Sequence, residues 1–270
     1  MGRIGRSFAL VGQSYRILMQ DKELMVLPLI SGATIVAVVG GVAFGFGIPL
    51  DGIGRHQSFV SYLPMFVLYV IAYAIGIFFQ AAVVAGATER MRGGDPTVGS
   101  ALAAAGRRAG AILLWAIVAA TVGMVLRAIQ ERVGIVGKIV AGLAGAAWSL
   151  ATFFVVPVLV LEDRSIGDTF MRSVTVFKKT WGETVVGGVS LGAAALCAWV
   201  TLVAVVGLLA YVVGIIAVPV FFAGALALMI FFSALQGVYV ASLYRYATEG
   251  TAGPGFDVEL FQQAFVPKKR

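Results

Sequence analysis

The sequence contains one pattern that resembles the nucleophile of a serine hydrolase, Gly188-Val-Ser190-Leu-Gly192. In a nucleophile elbow, this spacing presents the serine on a strained strand-to-helix turn, beside a histidine base and an acid. Here the pattern lies inside an apolar stretch, and the one histidine of the chain, His56, falls in a distant loop. Glycines four residues apart are also typical of closely packed membrane helices, and Gly41-Val-Ala-Phe-Gly45 repeats the spacing. We therefore interpret these glycines as packing faces and not as parts of a catalytic site.

Residues for other kinds of chemistry are equally sparse. One histidine and one cysteine, Cys197, cannot supply a nitrogen–sulfur metal site, and the carboxylates are scattered along the loops. A nucleic-acid-binding protein would need a dedicated basic face with aromatic side chains, which the sequence lacks. We therefore expect no metal, no cofactor, no nucleic acid and no enzymatic activity. An enzyme would need a phospholipid substrate that meets Glu89, Glu162 and Arg172 at the membrane surface.

Long uncharged stretches determine the fold class. Residues 184–244 contain no charged side chain, and residues 24–50, 56–88, 109–126 and 139–161 are also uncharged. A membrane-spanning helix needs roughly 20 apolar residues to cross about 30 Å of hydrocarbon. Charged residues make up 12% of the chain, against roughly 25% in soluble domains. We predict one all-α domain, a polytopic bundle of six spans in three hairpins, at residues 24–50, 59–88, 109–126, 139–161, 184–206 and 219–244.

The connections predict amphipathic interfacial helices on the cytoplasmic face. Residues 1–23 form the first helix, and residues 98–108 and 166–180 form the second and third, with Asp95 and Asp168 as acids at their N-termini. Residues 245–270 are a cytoplasmic tail. Basic and aromatic residues at the ends of these helices are candidate contacts for inner-leaflet phospholipid. The candidates are Arg107, Arg108, Arg172, Lys178, Lys179 and Trp181.

The distribution of positive charge predicts the orientation in the membrane. The formal net charge is +7, and all but four of the 20 basic residues fall on one side of the predicted spans. Because cytoplasmic loops carry the excess of Lys and Arg, we place both termini in the cytoplasm of a cell with an inner membrane. The four exceptions are Arg55, Arg127, Arg132 and Lys138.

Several polar residues lie within or beside the spans. Interhelical hydrogen bonding is the ordinary role of Gln80, Ser149, Thr152 and Gln236, and lining a solute path is the alternative. Pro157, late in the fourth span, predicts either a kink in that helix or its approach to the inner interface. The region 208–218 is either a short turn or a re-entrant segment.

One charged cluster lies on the predicted outer side. Arg127 and Glu131 are four residues apart, so a helical extension of the third span would pair them, with Arg132 beside them. A solvated helix end and a partner-binding site are the two interpretations of this outer ion-pair cluster.

Residues 127–183 resemble a known family. The resemblance is carried by Arg127-Ala-Ile-Gln-Glu131-Arg132, Ala147-Trp148-Ser149, Thr152-Phe-Phe-Val-Val-Pro157, Glu162, Phe170, Arg172-Ser173 and Phe177-Lys178-Lys179-Thr180-Trp181-Gly182-Glu183. It is similar to an uncharacterised family of prokaryotic six-span integral membrane proteins, a domain of unknown function. A looser likeness is to the membrane domain joined to glycerophosphodiester phosphodiesterases, whose catalytic domain is absent here. The resemblance implies an inner-membrane location and six spans, and it implies no reaction.

The leading hypothesis is a non-enzymatic membrane protein that engages inner-leaflet lipid or organises a complex with a membrane partner. The alternative is a transporter or channel for a small neutral or amphipathic solute, because Gln80, Thr152 and Gln236 are polar within apolar spans. Phospholipid is the expected partner, and a membrane protein partner or a second copy of the chain stays open.

Overall fold

The computed structural model describes residues 3–45 and 59–250, and this part of the chain is helical, without a β-strand. His56, Arg55 and residues 251–270 of the predicted tail lie outside the described residues. Short 3₁₀ turns at Lys22–Met25 and Gly214–Ile216 join consecutive helices. The α-helices are α1 Arg3–Gln20, α2 Val26–Gly45, α3 Phe59–Met91, α4 Val98–Gly106, α5 Ala109–Arg132, α6 Ile135–Ala151, α7 Val155–Leu161, α8 Ile166–Val213 and α9 Ala217–Glu249.

Six segments of the described chain are long and apolar enough to cross a membrane, which confirms the predicted all-α, six-span fold class. The apolar composition of each segment explains this, since a bilayer core offers no water to backbone groups and favours helices. The fourth segment combines α6 and α7. The six segments are Lys22–Val42, Phe66–Met91, Ala109–Arg132, Ile135–Leu161, Gly187–Tyr211 and Gly214–Glu249.

The chain forms two compact units, the first of which comprises Met1–Pro28, Gly86–Val98 and Lys178–Arg270. In this unit α1 packs against α9, and the rings of Tyr15 and Phe231 lie 6.1 Å apart in an edge-to-face arrangement. Residues 234–244, toward the C-terminal end of α9, are buried except at Gln236.

The packing of α1 corrects one prediction. A helix in the headgroup plane would turn its apolar side toward lipid, but the buried side of α1 belongs to the protein interior. Val11, Ser14, Ile17 and Leu18 are buried on this side, and α1 contacts α9. A fully buried serine is suited to a protein contact and not to hydrocarbon, which is why this face packs against a helix.

The second unit comprises Leu29–Ala85 and Gly99–Phe177. In this unit α5 and α6 form an antiparallel hairpin around Val133 and Gly134. Its core contains Trp115 and Ala119 of α5 with Val155 and Leu159 of α7. The first turns of α8 complete this core through Ile166 and Phe170.

The length of α8 differs from the prediction. The sequence predicts a short amphipathic helix over 166–180 that leads into a span at 184–206, and α8 runs from Ile166 to Val213 without a break between them. Its 48 residues correspond to about 72 Å, more than twice the roughly 30 Å of a hydrocarbon core. The apolar part, Gly187–Tyr211, is long enough for the membrane, and the preceding part of the same helix carries its charged residues.

The turn between α8 and α9 is short. Residues 208–213 belong to α8, the 3₁₀ turn follows, and α9 begins at Ala217. Gly214 has a φ of +58°, a left-handed conformation that glycine adopts without steric penalty. The two helices are therefore joined by a short turn, and residues 208–218 do not form a re-entrant segment.

Candidate functional site

The fourth span is a discontinuous helix. α6 ends at Ala151 and α7 begins at Val155, so Thr152–Phe154 form a joint between two helical pieces. Pro157 has no N–H to donate to the carbonyl of Phe153, and its ring clashes with that carbonyl in a regular helix. The predicted kink is therefore present as an interruption about one turn before the proline.

Ser173 of α8 closes this joint with a single hydroxyl group. The Phe154 N–H donates to Ser173 Oγ at 3.1 Å, and Ser173 O–H donates to the Ala151 carbonyl at 2.7 Å. Ser173 is fully buried. Unpaired backbone groups are costly at a buried site, so this hydroxyl satisfies one donor and one acceptor that the broken helix leaves behind.

Three aromatic rings lie beside the joint. Trp148 of α6 stacks on Trp115 of α5 with ring centroids 5.9 Å apart, and Phe170 of α8 lies 5.7 Å from Trp148. Trp115 and Phe170 are 6.5 Å apart, so the three rings form one stacked group. Each such contact contributes about 0.5–1.5 kcal/mol beyond the burial of its area. The group fixes the start of α8 against the α5–α6 hairpin.

Acidic residues follow the end of α7 and pair with basic residues of the same loop, of α8 and of the start of α5. Glu162 accepts hydrogen bonds from Arg172, at 3.1 Å, and from Arg164. Asp163 pairs with Arg108, at the start of α5. Two of the predicted lipid contacts, Arg108 and Arg172, are therefore held by carboxylates of the same unit.

Ser165 caps the N-terminus of α8. Its Oγ accepts the Asp168 N–H at 3.2 Å, and its hydroxyl donates to the Asp168 carboxylate at 2.6 Å. This arrangement is related to the capping box, in which a side chain before the helix satisfies an unpaired amide of the first turn. Asp168 thus occupies the first turn of α8, where the sequence predicts it.

Glycines end α3 in the first unit. Gly93 has a φ of +86°, its N–H donates to the Arg90 carbonyl at 2.9 Å, and the Gly94 N–H donates to the Glu89 carbonyl at 3.0 Å. These are the two hydrogen bonds of a Schellman motif, with a left-handed glycine after the helix. A Cβ on Gly94 would lie 2.9 Å from Glu89 Cγ, so the second glycine allows a close approach.

An ion-pair network begins at this turn. Arg90 donates two hydrogen bonds to Asp21, whose side chain is 6% exposed, and pairs with Asp95 at 2.8 Å. The prediction that Asp95 is an N-terminal acid of α4 is wrong, because Asp95 precedes the helix and faces Arg90. Glu23 instead accepts the Val98 N–H of that helix, at 3.3 Å.

The end of α9 joins the same turn. Arg245 donates to the Met91 carbonyl, and Glu249 accepts from Arg245 at 2.7 Å and from Arg92 at 2.8 Å. Gly250, with a φ of +71°, then ends the helix. Charged groups therefore tie the end of α9 to the end of α3 within the first unit.

The remaining candidates for lipid contact lie at the surface. Arg107, Lys178 and Lys179 are exposed, and the side chain of Trp181 is 56% exposed. Arg107 lies between α4 and α5, and the other three lie on α8. These side chains are accessible to a headgroup from outside the protein.

Two of the intramembrane polar candidates form hydrogen bonds within their own chain segment. The hydroxyls of Ser149 and Thr152 donate to carbonyls four residues earlier in their own chain segment, at 3.0 Å and 2.8 Å, and not to another helix. Gln80 is half-buried on α3 and Gln236 is exposed on α9. Hydroxyl groups of Ser and Thr commonly bond back to their own helix in this way.

The outer cluster has the geometry expected of residues four apart on one helix. Arg127 and Glu131 form an ion pair at 2.9 Å near the end of α5, and both side chains are largely exposed. Arg132 is exposed at the last residue of the helix. Such an exposed pair contributes at most about 1 kcal/mol to stability.

Among the described residues, the glycines of the Gly188–Gly192 pattern do not make the close packing contacts that the sequence predicts. Ser190 is buried in the interior of α8, far from any strand-to-helix turn. The predicted packing glycines, Gly188 and Gly192, have open space where a Cβ would lie, as do the glycines of the α2 pattern. Gly187, which precedes the pattern, is closely packed instead, because a Cβ there would overlap the Tyr239 hydroxyl of α9. Within residues 3–45 and 59–250, no cluster of three or more His, Cys, Asp or Glu side chains is arranged to hold a metal ion.

The comparisons with known proteins place these features in a family. No curated protein and no solved structure matches the sequence. A family model described as a family of unknown function matches residues 59–256, a range that contains the fourth-span joint and Ser173. Because this range covers most of the chain, the protein belongs to DUF6159, a family of unknown function.

Proposed function

We propose that this protein is a non-enzymatic, multi-pass protein of the prokaryotic inner membrane that engages anionic phospholipid headgroups at the inner leaflet. The observation that carries the proposal is the change of side-chain character along the exposed surface of α8. Lys178, Lys179 and Trp181 are exposed there, immediately before the uncharged part of the helix begins. Lysine and tryptophan at the end of a span are typical of a membrane–water interface.

The surface beyond this point is apolar. Val189, Leu196 and Val200 are exposed by 68%, 65% and 59%, which suits hydrocarbon and would be unusual in water. The change from lysine to aliphatic side chains therefore supports a membrane boundary close to Trp181. Cations at such a boundary meet the phosphate groups of the leaflet.

Arg107 gives independent support from the second unit. It is exposed in the turn just before α5, and the span Ala109–Arg132 starts two residues later. Two spans thus begin beside exposed cations. By the positive-inside rule, both of these ends belong to the cytoplasmic face, where anionic lipid attracts them.

The triple substitution of Arg107, Lys178 and Lys179 to glutamine tests the proposal. Each cation near an anionic surface contributes about 1 kcal/mol, so losing three should weaken lipid binding by about 3 kcal/mol, or roughly 100-fold. Native mass spectrometry of the purified protein would measure the retained phosphatidylglycerol. Arg108 stays unchanged because Asp163 pairs with it.

A matched control removes the same charge from the opposite end of the spans. Arg127, Arg132 and Lys138 are exposed at the α5–α6 hairpin, and their substitution to glutamine should leave inner-leaflet lipid retention unchanged. Equal lipid retention in the test variant and the wild type would refute the proposal. Loss of a co-purifying protein in the test variant, with lipid unchanged, would favour the organisation of a partner complex instead.

A further inference from the structure

The joint Thr152–Phe154 is braced from one side by three side chains of α8, which we call the splint. Phe170 stacks on Trp148 of α6, Ser173 bonds to both edges of the joint, and Arg172 pairs with Glu162 after α7. The splint therefore holds the helix before the joint, the joint itself and the end of the helix after it. About one turn of α8, residues 170–173, carries all three contacts.

The splint has one contact that a ligand can reach. Ser173 is fully buried, whereas the side chains of Arg172 and Glu162 are 28% and 19% exposed. Arg172 can thus meet a phosphate group without unfolding of the helix. Guanidinium groups bind phosphate and carboxylate with similar bidentate geometry, so a lipid phosphate and Glu162 compete for the same group.

We infer that the joint is a hinge whose opening is regulated by anionic lipid through Arg172. The inference rests on the proposed function, since it requires a lipid phosphate at the inner leaflet. When the phosphate binds Arg172, Glu162 loses this partner and the far end of α7 loses a tether to α8. The contact of Ser173 then holds the joint with less support, and the joint opens more often.

The Phe154 amide reports this opening. Its N–H donates to Ser173 Oγ in the closed joint, so its hydrogen exchange is slow while that bond persists. Peptides that cover residues 150–158 would give its deuterium uptake. The measurement uses the full-length protein in nanodiscs of phosphatidylcholine, with and without phosphatidylglycerol.

Four proteins make the test specific. In the wild type, phosphatidylglycerol should raise exchange at the joint about threefold. Glu162→Gln removes the competing charge and should raise exchange by a similar factor in phosphatidylcholine alone. Ser173→Ala should raise it at least tenfold in both lipids, with lipid retention unchanged. Thr175→Ala is the control, since Thr175 is exposed and its hydroxyl bonds to the Met171 carbonyl of its own helix.

The outcomes separate this inference from the proposed function. Native mass spectrometry of the same samples shows whether phosphatidylglycerol is bound. If the lipid is bound and wild-type exchange at the joint is equal in both membranes, the regulation is refuted and the lipid-binding function stands. If the lipid is not bound, both fall. If Ser173→Ala does not fold, Glu162→Gln still tests the inference. Hydrogen exchange at the joint equal to that of the wild type in this variant would show that the Arg172–Glu162 pair does not control the opening of the joint.

Discussion

Asp21 is a buried carboxylate whose partner comes from a different helix. Its side chain is 6% exposed and accepts two hydrogen bonds from Arg90, whereas Asp95, the other partner of Arg90, is 90% exposed. When Asp21 is removed, Arg90 is 27% exposed and keeps Asp95, so the loss is mainly that of the two hydrogen bonds to Asp21, and a hydrogen bond to a charged group contributes about 1.5–3 kcal/mol. An exposed pair contributes only about 0–1 kcal/mol.

Asp21→Ala should therefore lower the thermal unfolding midpoint in detergent markedly, and Asp95→Asn should leave it nearly unchanged. Differential scanning fluorimetry with a thiol-independent dye measures both. Equal midpoints for the two variants would mean that the buried pair of Asp21 with Arg90 stabilises the protein no more than the exposed pair of Asp95 with Arg90. Because α1 is joined to the 3₁₀ turn at Asp21, limited proteolysis should also cleave α1 faster in Asp21→Ala.

The partners of single buried polar residues were the feature that the sequence predicted least well. Ser173 is buried on α8 beside Phe177, and a buried serine indicates a polar contact. Its partners, however, lie on the Ala151–Phe154 segment, and no local pattern names them. The same holds for Asp21 and Arg90, which are 69 residues apart in the chain.

At the scale of elements, α8 and α9 approach each other closely at Gly187. A Cβ there would overlap the hydroxyl of Tyr239, which is 1% exposed and has little room to move. Gly187→Ala should thus destabilise the protein by about 1–3 kcal/mol through overpacking. Gly188→Ala, in open space on the same helix, should be neutral or stabilise it by about 0.5–1 kcal/mol, since alanine is the better helix former. Thermal unfolding in detergent should give a lower midpoint for Gly187→Ala than for Gly188→Ala. An equal decrease in both variants would contradict the close contact of Gly187 with Tyr239.

The elements themselves were largely predictable, because hydrocarbon imposes the same length and polarity on every span. Six spans and a helix at Val98–Gly106 appear where uncharged and amphipathic patterns predict them. The errors fall where tertiary contacts override the pattern. The amphipathic face of α1 looks suited to lipid but packs on α9, and the segment from Ile166 continues into a span because no proline interrupts it.

At the scale of the whole molecule, the basic residues are distributed unevenly along the sequence. Exposed cations precede a span in each unit, at Arg107 and at Lys178–Lys179. In contrast, the exposed cations Arg127, Arg132 and Lys138 cluster at the turn of the α5–α6 hairpin. Because all but four of the 20 basic residues fall on the side of Arg107 and Lys178–Lys179, we predict a cytoplasmic N-terminus and C-terminus.

Single cysteines at the two ends of α5 and α6 test this orientation in intact cells. In a Cys197→Ser background, Val136→Cys lies at the hairpin turn and Arg107→Cys lies before α5, and both positions are exposed. A membrane-impermeant maleimide should label Val136→Cys at once and Arg107→Cys only after permeabilisation, because the reagent cannot cross the bilayer to the cytoplasmic face. The reverse pattern would place the termini outside and would remove the basis for inner-leaflet lipid at Arg107, Lys178 and Lys179. Labelling of both positions in intact cells would mean that α5 does not cross the membrane, which would contradict the assignment of the uncharged stretch Ala109–Leu126 to hydrocarbon.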